Sequence, residues 1–229
     1  MKIIRFFSKK EFVGLGQPLP AKKFIPQWYK DSEMVLVDPD GTESSGLKRC
    51  IPFLDSMLSG YMFVTPFDIF VGKKEDGTLS ITWNGPDSYK GFIAERTKDL
   101  GEKMPRPPGH WPNHLAFRIT WGVKTPKGWS LLVTTPFNRH DLPWTLTSGI
   151  MDADKYSTSG NLPFFMKEGF TGMIPAGTPI AQLIPIKRES WKFIMNDEGI
   201  RYLDDLQGST VRTPGKSYKK LFWQRKDYT

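Results

Sequence analysis

Cys50 is the single cysteine among 229 residues, so no disulfide can close within the chain and no cysteine cage can hold zinc. A reducing, cytoplasmic setting is the expectation that follows. Histidine is almost as scarce, with three residues, and histidine chemistry can therefore be weighed one side chain at a time. No stretch approaches the roughly 20 uninterrupted apolar residues of a membrane helix. Lys2, Arg5, Lys9 and Lys10 break the apolar patch of the first ten residues, which reads as a first strand and not as a secretion signal. A membrane partner is not expected. The chain also lacks a Gly-rich phosphate loop followed by Lys-Ser/Thr and lacks a Gly-x-Ser-x-Gly elbow, which removes two large classes of nucleotide hydrolase and esterase.

What is present is apolar and heavily punctuated. Hydrophobic residues make up 38% and aromatic residues 14%, enough to build a core largely from rings. Twenty-one glycines and 19 prolines are spread along the chain, which disfavours long helices and favours short strands joined by turns. The expectation is a mostly β, single-domain β-barrel or β-sandwich over residues 1–229, with about ten short strands and two or three short peripheral helices.

Tyr61 to Thr65, Phe67 to Val71 and Thr78 to Trp83 read as a β-meander, the last behind the turn Glu75-Asp76-Gly77. Leu115 to Trp121, Trp129 to Thr134, Trp144 to Leu146, Phe164 to Met166 and Ile180 to Ile186 are strand-like. Lys48 to Ser59 carries Cys50, Ile51, Leu54, Met57 and Leu58 on one helical face, with Pro52 in the first turn and Gly60 at the end. Further helices are expected from Asp197 to Leu206 and in the tail. Residues 91–114, with Met104-Pro105-Arg106-Pro107-Pro108-Gly109, read as a proline-rich surface loop without regular strands.

Lysine and arginine number 32 against 24 acids, a balance of +8, but the cations are dispersed. Only residues 212–229 concentrate them, around Leu221, Phe222 and Trp223, and those three rings and chains can dock the tail on the body with its lysines in water. Nucleic acid is therefore the disfavoured partner. His110 and His114 stand four apart, but Pro107, Pro108 and Pro112 forbid the helix that would align them on a metal, and no metal ligands are assigned. Asn138-Arg139-His140-Asp141 lacks the His-x-Asp spacing of an iron facial triad.

Ser148-Gly149-Ile150-Met151-Asp152-Ala153-Asp154-Lys155-Tyr156, followed by Gly177-Thr178-Pro179-Ile180-Ala181-Gln182-Leu183, resembles two signature segments of the deoxyuridine triphosphatase (dUTPase) and deoxycytidine triphosphate deaminase superfamily. The resemblance implies a β-clip fold, a nucleotide ligand with Mg²⁺, and trimers. Asp152 would orient and deprotonate the attacking water. Tyr156 would pack beneath the deoxyribose, although Lys155 sets it one place beyond the family position. Gln182 and Arg139 would lie near the phosphates, and Asp68 would match the aspartate of the first segment.

A longer likeness runs through Ile25-Pro26-Gln27-Trp28-Tyr29-Lys30, Arg49 to Asp55, Trp83-Asn84-Gly85, Trp129 to Arg139 and Lys216 to Trp223. It resembles a protein family of tailed phages and some bacteria, which implies a viral origin, the host cytoplasm as location, and no particular chemistry. Three functional readings stay open, as does whether the chain is an enzyme. They are a dUTPase-like nucleotide binder or pyrophosphatase, a noncatalytic phage accessory or virion protein, and a jelly-roll iron-dependent oxygenase.

Overall fold

The computed structural model describes residues 2–97, 103–157, 159–195, 199–212 and 217–229. The first strands are β1 (Arg5–Ser8), β2 (Leu19–Pro20), β3 (Val35–Val37), β4 (Glu43–Ser45), β5 (Tyr61–Val64), β6 (Ile69–Lys73), β7 (Leu79–Trp83) and β8 (Ile93–Glu95). They are followed by β9 (Leu115–Arg118), β10 (Trp121–Lys124), β11 (Trp129–Thr134), β12 (Trp144–Leu146), β13 (Gly149–Met151), β14 (Asn161–Met166), β15 (Gly172–Ile174) and β16 (Pro179–Lys187). The α-helices bounded within the described residues are α1 (Gln27–Asp31), α2 (Ile51–Leu58), α3 (Ile200–Arg212) and α4 (Ser217–Leu221). The protein is mostly β, and among the described residues no helix is long and apolar enough to cross a membrane.

All strand pairs are antiparallel. The orders are β13-β11-β16-β5-β2, β12-β14-β9-β8, β15-β6-β7, β1-β10 and β3-β4, so among the described residues the strands do not close into one barrel. The core lies where these sheets face each other. Phe117 of β9 stacks on Phe164 of β14 at 4.0 Å, and Trp144 of β12 meets Phe117 edge-on at 5.1 Å. All three rings are buried, together with Ile69, Leu131, Ile180 and Leu183 from other sheets. Burying one such ring stabilises the fold by about 1.5–3 kcal/mol over leaving it in water.

Several expectations are corrected. The proposed meander breaks after its first strand, because Pro66 cannot donate to a ladder and turns the chain at a corner. Thr65 is pinned there by its N–H to the Thr178 carbonyl and its hydroxyl to that of Pro175. As a result β5 joins β16, whereas β6 and β7 pair in a separate sheet. The expected single strand Leu115 to Trp121 is two strands in two sheets, β9 and β10. The proline-rich stretch holds β8, paired with β9, and His110 bridges to Lys167, so it is not wholly a surface loop. Many strands span only two or three residues, which is why there are more of them than expected.

The helix over Ile51–Leu58 forms as its pattern requires, with Pro52 in its first turn and Met57 buried. Its exit demands Gly60: φ is +74° there, and a Cβ would come within 2.0 Å of the Leu183 carbonyl oxygen on β16. The expected helix from Asp197 begins on residues outside those described, and α3 is seen from Ile200. In the tail Trp223 docks, donating its indole N–H to Asp55 of α2 at 2.8 Å beside Lys226 at 2.5 Å, and further on Asp227 pairs with Lys22 at 3.6 Å and Tyr228 meets Tyr61 edge-on at 6.1 Å. Leu221 and Phe222 remain exposed.

His114 is buried and stacked on Phe165 at 4.9 Å, and neither ring nitrogen has a partner among the described residues. Burial, and secondarily the Arg96 guanidinium, holds its imidazole below the ordinary histidine range. The unfolded chain therefore binds a proton that the folded chain refuses. Stability is full above the unfolded value of about 6.5 and falls as pH drops from there to the folded value. His114→Phe keeps the stack and should flatten this part of the pH dependence, measured by urea unfolding at neutral and mildly acid pH. An unchanged slope would refute the assignment.

Candidate functional site

The turn after β13 is closed by its own backbone, with the Lys155 and Tyr156 N–H groups both donating to the Asp152 carbonyl at 2.9 Å. This leaves the Asp152 and Asp154 side chains directed at Arg188, the first residue beyond β16. Arg188 Nη1 donates to Asp154 at 2.8 Å and lies 3.1 Å from Asp152, while Nη2 also binds Asp154. Ser130 on β11 gives its hydroxyl to Asp152 at 2.7 Å, and the Gly128 N–H binds Asp154 at 2.8 Å. The Arg188 N–H returns to the Gly128 carbonyl at 2.9 Å. Asp154 is almost wholly covered, whereas half of Asp152 meets solvent.

Both carboxyls are held below the usual range. For Asp154 the chief cause is the Arg188 hydrogen bond, followed by the Gly128 N–H. For Asp152 it is the Ser130 hydroxyl, with Arg188 acting in the same direction. A carboxylate stabilised in its charged form is a weak proton acceptor, so Asp152 is poorly poised as a general base. The cluster acts as a clamp that fixes the end of β16 to the β13 turn and the start of β11.

The other residues singled out from the sequence lie elsewhere and are engaged. Gln182 is fully buried; its Oε1 accepts the Phe137 N–H at 2.9 Å, and its Nε2 donates to the carbonyls of Ser56 and Ser59 at 2.7 Å each. It thereby ties off helix-end carbonyls of α2 that have no partner within the helix. Arg139 chelates Asp141 and donates to the Phe24 carbonyl at 3.2 Å. Asp68 accepts the Ala176 N–H at 2.8 Å and the Asn84 amide at 3.3 Å. Gln182 pairs with Thr134 at one end of β11, whereas Asp152 is held by Ser130 nearer the other, about 13 Å away along the strand. The five residues do not converge on one pocket.

Tyr156 lines an open cleft, of about 450 Å³, with Phe7, Lys9, Lys155, Ser157 and Ser159. Phe7 packs against Gly122 of β10, where a Cβ would come within 2.4 Å of its ring. Two exposed rings and two ammonium groups thus border the same space. Among the described residues no three His, Cys, Asp or Glu side chains gather as a metal ion would require.

Beyond the Arg188 clamp the chain becomes an arm. Trp191 to Met195 has no regular secondary structure, and among the described residues takes no part in a sheet, hydrogen bond or ring contact. Trp191 is 88% exposed, Phe193 86%, Met195 85% and Ile194 66%. Motif reading passed over this segment. Its signal was the alternation Trp191-x-Phe193-x-Met195, a strand pattern placed after the last strand of the sheets.

Comparison with protein-family models, with curated proteins and with solved structures found no match.

The engagement of Gln182 gives a direct expectation. Gln182→Leu strands a buried N–H and two carbonyls, and should lower unfolding free energy by about 2–4 kcal/mol in chemical denaturation. A loss under half a kcal/mol would mean that Gln182 is free for a ligand.

Proposed function

We propose that the chain is a noncatalytic protein that works through protein–protein contact, with the segment from Trp191 to Met195 as its contact element. One observation carries this reading: three large apolar side chains in alternation stand almost fully in water, on a segment whose root is clamped by Arg188. Isolated exposed apolar residues need no explanation, but a contiguous run of this kind marks an interaction site. Together with the phage-family resemblance, it favours an accessory or virion protein made in a host cytoplasm. The engagement of Asp152, Arg139 and Gln182 in structural bonds argues in the same direction.

Photoreactive benzoylphenylalanine in place of Phe193 should give a covalent protein adduct in the producing cells. Trp191→Ser with Met195→Ser should abolish the adduct while leaving the far-ultraviolet circular dichroism unchanged. Pyrophosphate release from any deoxynucleoside triphosphate with Mg²⁺, lost in Asp152→Asn, would overturn the noncatalytic reading.

A second reading rests on the cleft of Tyr156. Lys9 and Lys155 beside two exposed rings suit a ligand with a flat ring and a phosphate. Binding without hydrolysis is compatible with the first reading. A deoxynucleotide at a hundred times its dissociation constant should stabilise the fold by about 2.7 kcal/mol, and Lys9→Ala with Lys155→Ala should remove the thermal shift. No shift across a nucleotide panel at millimolar concentration removes this reading.

A further inference from the structure

Tyr61 and Trp129 flank β16 from opposite sides and share one face of its sheet. Tyr61 of β5 is the ladder partner of Leu183, and Trp129 of β11 is the partner of Lys187. Residues directly opposite one another share a face, as do alternate residues along a strand. Pro185 stands on that face midway between the two rungs, which lie roughly 13 Å apart along β16. A cavity of about 330 Å³ is walled by Tyr61, Pro185 and Trp129, with Pro126 beside them. Lys2 to Ile4 close it on one side and Lys226 to Tyr228 of the tail on another. The tail wall is pinned by Trp223 and Lys226 to Asp55, by Asp227 to Lys22, and by the Tyr228 ring against Tyr61. The volume falls at the small end of the range of about 300–1,000 Å³ for small-molecule sites, and rings with a few placed polar groups are what such sites contain.

The charges around this cavity cancel unevenly. At the tyrosine end Lys226 is neutralised by Asp55 at 2.5 Å and Asp227 by Lys22 at 3.6 Å. At the tryptophan end Lys187 is bound by Glu189. Lys2 differs. Its ammonium lies 4.7 Å from the centre of the Trp129 ring, and among the described residues no carboxylate pairs with it. A cation held over a ring at an exposed site gains little from it, so this contact yields readily to an anion.

We propose that the cavity binds a small planar aromatic acid, with its ring system between Trp129 and the Tyr61 and Pro185 walls and its carboxylate on the Lys2 ammonium. The rings provide apolar burial and stacking. Lys2 sets the orientation, because the Asp227 carboxylate beside Tyr228 repels an acid bound the other way round. This site is separate from the arm and from the cleft of Tyr156, and shares no lining residue with that cleft.

The test titrates 2-naphthoate into the full chain by calorimetry, with the isosteric, neutral 2-naphthamide as control. One site per chain is expected, with a dissociation constant on the order of 0.1 mM for a probe of this size. The amide should bind about tenfold more weakly, the worth of one hydrogen bond to a charged group. Lys2→Met keeps the apolar stem of an exposed side chain, and should bring acid and amide to equal affinity. Trp129→Leu should weaken both by about tenfold with the far-ultraviolet circular dichroism unchanged. Lys9→Ala with Lys155→Ala should alter neither. Absence of binding at millimolar probe overturns the proposal, as does an amide that binds as well as the acid. A preference for the acid that survives Lys2→Met also overturns it. Binding lost in the Lys9 and Lys155 variant places the probe in the cleft of Tyr156 and overturns it too.

Discussion

A strand buried on both faces has to satisfy its backbone inside the sheet and its side chains inside the core, and β16 is held to both demands at once. Pro179 to Leu183 are buried in succession, with β11 on one side and β5 on the other. Such a run tolerates one polar side chain only where every hydrogen-bonding group is met, and Gln182 meets that condition through Phe137, Ser56 and Ser59. The same strand sets the approach of α2, since the turn at Gly60 lies against the Leu183 carbonyl. What surrounds β16 is arranged by the requirement to cover it, and what leaves it at Arg188 is a stretch that remains uncovered.

Arg188 marks that boundary by electrostatics. Two carboxylates close together repel, and a guanidinium between them resolves the conflict with planar, forked donors that a lysine could not supply. Removing Arg188 would leave Asp152 and Asp154 facing one another beside a covered backbone turn. The clamp joins three separate pieces of chain: the Gly128 turn, the β13 turn and the end of β16. Its consequence is directional, because an arm rooted in a fixed charge cluster leaves the body at a defined place. A contact element presented in this way loses less freedom on binding than one attached by a slack linker.

Strand type and position were readable wherever local pattern and burial agree. Trp129 to Thr134, Trp144 to Leu146 and the long run through Ile180 are short apolar stretches bounded by turns, and they form strands in those places. The helix ending before Gly60 was readable for the same reason, since Pro52 and Gly60 punctuate it. Pairing was not readable. Pro66 separates the first two strand-like segments, but whether the chain resumes in the same sheet or another depends on Thr178 and Pro175, more than a hundred residues away. The site residues suffered from the same limit. Arg139, Gln182 and Asp68 are polar residues in apolar settings, and sequence does not distinguish a side chain reserved for a ligand from one spent on a distant carbonyl. Arg188 and the arm went unnoticed because motif reading looks for reactive groups, whereas their meaning lies in charge neutralisation and in an alternation without a sheet.

Edges decide where a β protein can associate, and this one treats its edges unequally. β2 is two residues long and ends in Pro20, which cannot donate to a neighbour. β12, β13 and β15 span three residues each, too little for a firm ladder, and β13 leads straight into the clamped turn. β7 differs: it runs five residues, contains no proline, and places Ser80 and Thr82 between apolar neighbours. Lysines and inward charges, the usual guards of such an edge, are missing from its length. An unguarded edge of this length is where another strand could pair with the fold.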